Sequence, residues 1–275
     1  MSKVWLVTGS GRGLGLEVVR AALAAGDSVV ATARDTSTLV RLLAEHENTL
    51  RLFALDVTDA DAAQEAADFA VAAFGRIDVL VNNAGYAHLA PFELIEARDF
   101  RNQVDTNFYG VVNLVRAVLP VMRRQRSGHV INVSSVGGRV TTPGLSAYQS
   151  AKWAVSGFTE ILAKETAGFG VRAIAVEPGG IRTDWGTGAT EDDSPIPADY
   201  DGSVGAAHRR LAVHTGNEVG DPARIAQVIV DLSRRDDLPA HLILGSDALA
   251  AFAASEDLRR REMEAWLPVS QSTDF

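Results

Sequence analysis

Seven short apolar runs punctuate the chain: KVWLVT (3–8), DSVVATA (27–33), LRLFALD (50–56), IDVLVNN (77–83), GHVINVS (128–134), VRAIAVE (171–177) and HLIL (241–244). They are rich in Val, Ile and Leu with little polar alternation, the pattern of strands buried on both faces of a parallel sheet. Between them lie alanine-rich stretches with helical periodicity, at 14–25, 60–74, 98–124 and 147–168. Strand followed by helix, repeated, predicts an α/β fold: a doubly wound parallel sheet of about seven strands in a three-layer α/β/α arrangement. Ligands of such sheets bind beyond the carboxyl ends of the strands, so chemistry is expected in the residues just after each run.

Length then adds that one domain, 1–275, suffices, since 275 residues build a full core without dividing. The stretch GTGATEDDSPIPADYDGSVG (186–205) is polar, contains proline and shows no periodicity, so it reads as a long surface loop. Placed after the sixth strand, it marks 184–215 as the expected substrate lid. The last segment, 250–275, reads as a charged helix followed by an extended tail.

Charge removes several classes of partner. A net charge of −9 and a pI near 5.2 argue against a general footprint for nucleic acid or an anionic membrane. No apolar run reaches the ~18 residues of a bilayer-spanning helix. The start, MSKVWLVTGSG, lacks the apolar core of a signal peptide. Without cysteine there is no disulfide framework and no thiolate ligand or nucleophile, which fits the expected cytoplasmic location. With no H-x-x-x-H or carboxylate–histidine cluster, no metal is expected.

Candidate chemistry begins at TGSGRGLG (8–15), which follows the first strand and opens a helix with Gly9, Gly11, Gly13 and Gly15. Glycines permit close backbone approach, and a helix N-terminus offers amide donors and a positive dipole to a pyrophosphate. Leu14 breaks the G-x-G-x-x-G pattern, so the turn alone is a weak signal. Arg12 within the turn and Arg34 just beyond the second strand sharpen it, because arginine suits a 2′-phosphate where an acid would bind a ribose diol. Position 33 is Ala, and Asp35 comes only after Arg34, so NADP(H) is the expected cofactor. Asp56, beside Val57, is placed either to accept from an adenine amino group or to cap the next helix. Asn83, beside Ala84 and Gly85, is placed either to pin backbone near an adenosine or to shape a turn.

In SAYQSAKWAV (146–155), Tyr148 and Lys152 stand four residues apart, on one face of a helix. A free tyrosine titrates at ~10. A nearby ammonium favours phenolate and is expected to lower that value, giving a general acid/base with its tuning charge attached. Taken alone, the pair is better explained by a packed tyrosine and a snorkelling lysine.

The full set of motifs changes that balance. The glycine turn, NNAG, Asn107 in DTNFYG, the serines of INVSS, YQSAK and EPGGIRTD occur in the order and approximate spacing of the short-chain dehydrogenase/reductase family, which the chain resembles over residues 3 to about 185. The resemblance implies a Rossmann-like fold and a nicotinamide cofactor. It implies that Tyr148 exchanges the substrate proton, that Lys152 also holds the nicotinamide ribose, and that Asn107 helps hold a water linking Lys152 to solvent. Ser135, thirteen residues before Tyr148, would polarise the substrate oxygen, leaving Ser134 structural. Pro178, Gly179, Ile181 and Thr183 would line the nicotinamide.

Tyr86, His88, Gly137, Leu145, Trp185 and Tyr200 are the expected pocket residues. Their apolar and aromatic character suits a steroid-, retinoid- or xenobiotic-like alcohol or carbonyl. Arg139 reads as a loop charge rather than a carboxylate anchor. Three rivals stand beside this reading: a non-catalytic NADP(H)-sensing regulator, a 3-oxoacyl-thioester reductase, and a serine hydrolase, although no G-x-S-x-G elbow surrounds the serines. In relatives, helices corresponding to 98–124 and 147–168 pair with symmetry mates, so a homodimer or homotetramer is expected.

Overall fold

A computed structural model of the chain describes residues 2–190 and 195–275. Seven strands, β1 (Val4–Val7), β2 (Ser28–Ala33), β3 (Leu50–Ala54), β4 (Val79–Asn82), β5 (Gly128–Val133), β6 (Val171–Pro178) and β7 (His241–Leu244), form one sheet in the order β3-β2-β1-β4-β5-β6-β7. Every neighbouring pair is parallel. Strand order reverses between β1 and β4, which opens a crevice at their carboxyl ends.

The two faces of the sheet bury different side chains, as a period of two requires. Trp5, Val7, Val79, Val81, Ile131 and Ile174 pack against α1 (Gly13–Ala24) and α9 (Pro222–Leu232). Leu6, Leu80, Val130 and Ala173 face α3 (Ala60–Phe74), α5 (Gly110–Gln125) and α6 (Ser146–Thr166). Local signals set the helix ends. Asp59 accepts from the backbone of Asp61 and Ala62 to start α3, and Gly75 ends it at φ 80°. Asp221 and Pro222 start α9 in the same manner.

The helical stretch at 98–124 is not uniform. It comprises α4 (Ala97–Val104), a π-helical turn (Asp105–Tyr109) and α5. A short α2 (Val40–Glu45) precedes β3, and α9 adds a helix that the periodicity at 14–25, 60–74, 98–124 and 147–168 did not include.

Two expectations are corrected. The segment read as a long loop carries α7 (Trp185–Ala189) and helical turns at Ala198–Tyr200 and Asp201–Gly205 leading into α8 (Ala206–His214). Helical pieces of about five residues are too short to show a 3.6-residue period. Residues 191–194 of the expected lid lie outside the described residues. The extended tail is also helical: α10 runs from Ser246 to Gln271 through Pro268. Its Ala, Leu, Glu, Arg and Met are strong helix formers, and the proline falls near the last turn, where few following residues depend on it. No helix among the described residues is long and apolar enough to cross a membrane.

Candidate active site

The glycine turn sits in the crevice between β1 and β4. Thr8 holds the two strand tips together: its hydroxyl donates to Val81 O and accepts from the backbone of Asn83 (2.9 Å) and Ala84 (3.1 Å). Asn83 answers by donating to Thr8 O (3.0 Å) and Gly9 O (3.2 Å), so it braces the turn. Gly9, at φ 66°, passes so close that a β-carbon would lie 2.8 Å from Ala84 Cα, and one on Gly15 would collide with the Gly9 carbonyl. The first turn of α1 has no side-chain cap and no acidic residue, which leaves its dipole and amides facing the crevice.

Around this turn the charges separate. Asp35 accepts from Ser37 N at 2.8 Å, and that bond holds its carboxyl below the usual range. It serves its own turn instead of reaching into the crevice. Arg12 and Arg34 are exposed and form no ion pair among the described residues. Thr38 donates to Gly11 O (3.1 Å), fixing the loop after β2 against the glycine turn. Asp56 does not cap α3, since Asp59 does. Its Oδ1 accepts from Thr58 N and Oγ1, bonds that hold the carboxyl low with help from Arg34. Val57 is buried beside Gly110, and Leu14 joins the core under α1.

The proposed acid–base residues meet at the ends of β5 and α6. Tyr148 and Lys152 lie one turn apart on α6, with Lys152 Nζ 5.7 Å from the Tyr148 ring centre and 2.8 Å from Val133 O, to which it donates. Ser135 follows β5 in extended conformation and accepts from Gly137 N at 3.0 Å. The expectation that the ammonium lowers the phenol is not met in this arrangement. Burial dominates and pushes Tyr148 up to about 12, against a hydrogen bond with Ser135 that pulls the other way. The same desolvation lowers Lys152 to about 8. Ser134 points under α6, donating to Lys152 O.

Asn107 is fully buried in the π-helical turn and donates to Tyr86 O and Gln103 O, both at 2.8 Å. Its Oδ1 has no partner among the described residues. A β-carbon on Gly85 would be 2.5 Å from that oxygen and 3.5 Å from Lys152 Nζ, so Gly85 keeps the space between them open.

Beyond β6, Pro178 and Gly179 lead to Ile181, which bridges to Gly220, and to Thr183, whose methyl lies beside Gly13. The two ends of the crevice thus approach each other. Asp247, at the start of α10, holds this loop by accepting from Gly180 N at 2.8 Å.

Over Tyr148 lies an apolar cluster of Ala87, Leu89, Leu145, Ala189 and Val204, with Trp185, Ile196, Tyr200 and Leu211 against it. The Trp185 and Tyr148 rings are 5.2 Å apart. Backbone bonds from Leu89 N to Ala189 O and from Ala90 N to Gly144 O tie α7 and the loop after β4 together. Leu145, Trp185 and Tyr200 therefore join the site, and Gly137 packs on Ser135 and Gln149. Two expected pocket residues do not join the cluster. Tyr86 is 38% exposed and stands in the field of Asp99, Arg34 and Asp105, and the His88 backbone N–H donates to Gln103 Oε1 at 3.0 Å. The loop after Gly85 turns outward at Tyr86 and returns at Ala87 and Leu89, so alternate residues face opposite ways. Arg139 turns inward to Glu177 at 3.6 Å.

Thr8, Gln103 and Asp247 carry weight that the motifs did not reveal. Of these, only Thr8 had a signal, its place at the tip of the first apolar run.

A family model described as short chain dehydrogenase matches residues 3–194. The chain is 44% identical over 272 residues to oxidoreductase BOA17 of Botryotinia fuckeliana, covering 98% of each. It is 30% identical to a 3-ketodihydrosphingosine reductase of Bacteroides thetaiotaomicron, covering 97% of this chain and 93% of that one. The crystal structure of a short-chain dehydrogenase from Streptomyces avermitilis superposes with a TM-score of 0.92 at 39% identity, covering 100% of both chains. Other structures of this fold hold NADP or NAD.

Proposed function

The chain belongs to the short-chain dehydrogenase family, and from that premise we propose that it is an NADP(H)-dependent oxidoreductase interconverting a hydrophobic alcohol with its ketone or aldehyde. The observation that carries this reading is the convergence of Ser135, Tyr148 and Lys152 beneath an apolar cluster, beyond the carboxyl ends of the strands. A nicotinamide cofactor, when bound, would supply or accept the hydride. Ser135 orients the substrate oxygen, and Tyr148 Oη gives it a proton in reduction or takes one in oxidation. Lys152 Nζ carries the compensating charge and holds ribose hydroxyls. Asn107 Oδ1 and the space beside Gly85 provide the way for a proton to reach Lys152.

The cluster over Tyr148 is built from apolar and aromatic side chains, which supports a lipophilic carbonyl. The relative that reduces 3-ketodihydrosphingosine, a long-chain ketone by name, is in keeping with this. Trp185 and Val204, from the segments on either side of 191–194, would cover a substrate bound at Tyr148.

For the cofactor, Arg12 and Arg34 would hold the 2′-phosphate, while Asp35 is engaged by Ser37. Turnover of a panel of hydrophobic ketones and aldehydes, read beside a β-keto thioester, tests both points. NADPH is expected to exceed NADH in kcat/KM by about tenfold or more, as one charge-assisted contact supplies. Arg12→Ala/Arg34→Ala should bring the two cofactors near parity. Preference for NADH in the wild type overturns the NADP(H) reading.

The chain is also expected to assemble as a homodimer or homotetramer. Tyr109, Trp153 and Ile161 leave 52%, 40% and 59% of their surface exposed on the turn before α5 and on α6. Light scattering at micromolar concentration should give a multiple of 29.2 kDa, and a monomer contradicts it.

A further inference from the structure

A buried polar seam runs beneath α6, and proton transfer at Tyr148 does not itself use it. At its centre is Glu177, on β6 and fully buried. Glu177 Oε1 accepts from Ser156 Oγ at 2.9 Å and faces His241 Nδ1 at 2.9 Å. His241 Nε2 lies 3.4 Å from Glu160 Oε2, so the seam reaches the exposed side of α6. In the other direction Ser156 Oγ is 2.9 Å from Ser134 Oγ, and Ser134 Oγ is 3.1 Å from Lys152 O. Glu177 Oε2 makes no hydrogen bond among the described residues and has Arg139 at 3.6 Å. The Arg139 guanidinium is itself laid over the Phe252 ring of α10 at 4.9 Å.

The order of protons in this seam follows from the carboxylate. An ionised carboxylate only accepts, so the single proton of Ser156 is committed to Glu177. The Ser156 oxygen is then left as an acceptor, and the Ser134 proton is shared between it and Lys152 O. Ser134 lies between Val133, whose carbonyl receives Lys152 Nζ, and Ser135. One buried charge therefore sets, through two hydroxyls, how the tip of β5 is fastened to the turn of α6 that carries Lys152. Packing leaves little slack: a β-carbon on Gly138 would stand 2.8 Å from Lys152 O, Ser134 Oγ and Ser156 Oγ. Stability does not explain the charge, because a buried ion pair is commonly no more stable than an apolar replacement of its shape.

We propose that Glu177 is a positioning residue of the Ser135–Tyr148–Lys152 centre, acting through Ser156 and Ser134, with His241 and Arg139 holding its carboxylate. The inference rests on the acid–base reading of Tyr148 and Lys152 given above.

Glu177→Gln tests it, because glutamine keeps the shape but removes the charge and puts an NH2 donor in place of one of the two acceptor oxygens, so the Ser156 proton is no longer committed. Two readouts are needed, one of them independent of turnover. The chain has three lysines, Lys3, Lys152 and Lys164, so 13C-lysine NMR resolves the titration of Lys152, assigned by its loss in Lys152→Met. The variant should lose about tenfold in kcat, as a small misplacement of reacting groups does, while binding NADPH within about twofold of the wild type. The Lys152 midpoint should move by about half a pH unit or more. Ser134→Ala should produce the same shift and add little in the double variant, as expected for residues acting in one chain. Wild-type kcat together with an unmoved Lys152 signal overturns the proposal. If Glu177→Gln does not fold, Ser134→Ala and Ser156→Ala give the same reading. If the wild type turns over no carbonyl while the variants still shift Lys152, the enzymatic reading fails and the positioning role stands. If Lys152 is unmoved as well, both fail.

Discussion

Tyr148→Phe is expected to lower turnover by about 1,000-fold or more while leaving NADPH affinity nearly unchanged. Phenylalanine keeps the ring, and with it the contact to Trp185 at 5.2 Å and the packing against Leu145 and Val204. Only the hydroxyl is lost. That hydroxyl is buried beside Ser135, and burial pushes it up to about 12, so it stays protonated across the neutral range as a reduction requires of its proton donor. Nothing nearby replaces it: Ser135 is too weak an acid, and the Lys152 ammonium stands 5.7 Å from the Tyr148 ring centre, turned to Val133 O. Fluorescence titration with NADPH should show the cofactor site intact, and thermal unfolding should show little change. Retained turnover in this variant removes Tyr148 from its role.

The non-catalytic alternative makes the opposite forecast. A protein that only senses NADP(H) would bind it and reduce no carbonyl, with Tyr148→Phe indistinguishable from wild type. Asn107, Ser135, Tyr148 and Lys152, the four residues that the family resemblance marks for catalysis, lie within one region. That arrangement favours chemistry, because a binding module needs the crevice but not the buried phenol.

The fold was legible because its signals are short-range. Seven runs of buried strand, each too apolar to face water, fix a parallel sheet, and the glycines after β1 place the crevice. Asp59 and Asp221 caps with Gly75 at φ 80° set element ends that sequence reading locates to within a few residues. The helical character of the segment after β6 and of the tail does not show in the sequence because its information is elsewhere. Helices of five residues have no period to detect, and α10 is helical by propensity with little of its surface covered, so no hydrophobic stripe announces it. In the site, the four tetrad residues stood at motif positions, but Tyr86 and His88 did not reach the apolar cluster. Adjacent residues in an irregular loop point in directions that spacing does not specify. Asp247 was invisible for a related reason: it acts on a residue far away in the chain, reaching Gly180 across 67 positions. The same distance hid the electrostatics. Proximity of an ammonium predicted a lowered phenol, whereas the apolar cover brought from α7 and the 198–205 turns made desolvation the larger effect.

Lys152→Met should cost at least about 100-fold in turnover and also weaken NADPH binding, since it removes both the charge beside Tyr148 and the group that holds the ribose. The pH dependence separates this from a packing defect. Burial lowers the folded-state pKa of Lys152 to about 8 from an ordinary 10.5. Between those values the unfolded chain binds more protons than the folded one, so stability attributable to this group rises with pH from about 8 to about 10.5 and is flat on either side. Below about 8 the folded protein bears the full cost of a buried ammonium. Methionine carries no such cost. Its thermal midpoint relative to wild type should therefore be highest below pH 8 and should fall steadily as pH rises through that window. The same titration governs chemistry: carbonyl reduction by the wild type should decline as pH rises through about 8, where the ammonium is lost, and Lys152→Met should show no such limb. A wild-type rate that is flat through pH 8, or a difference in midpoint that does not change between 8 and 10.5, places the ammonium in contact with solvent and removes desolvation as the force that tunes this site.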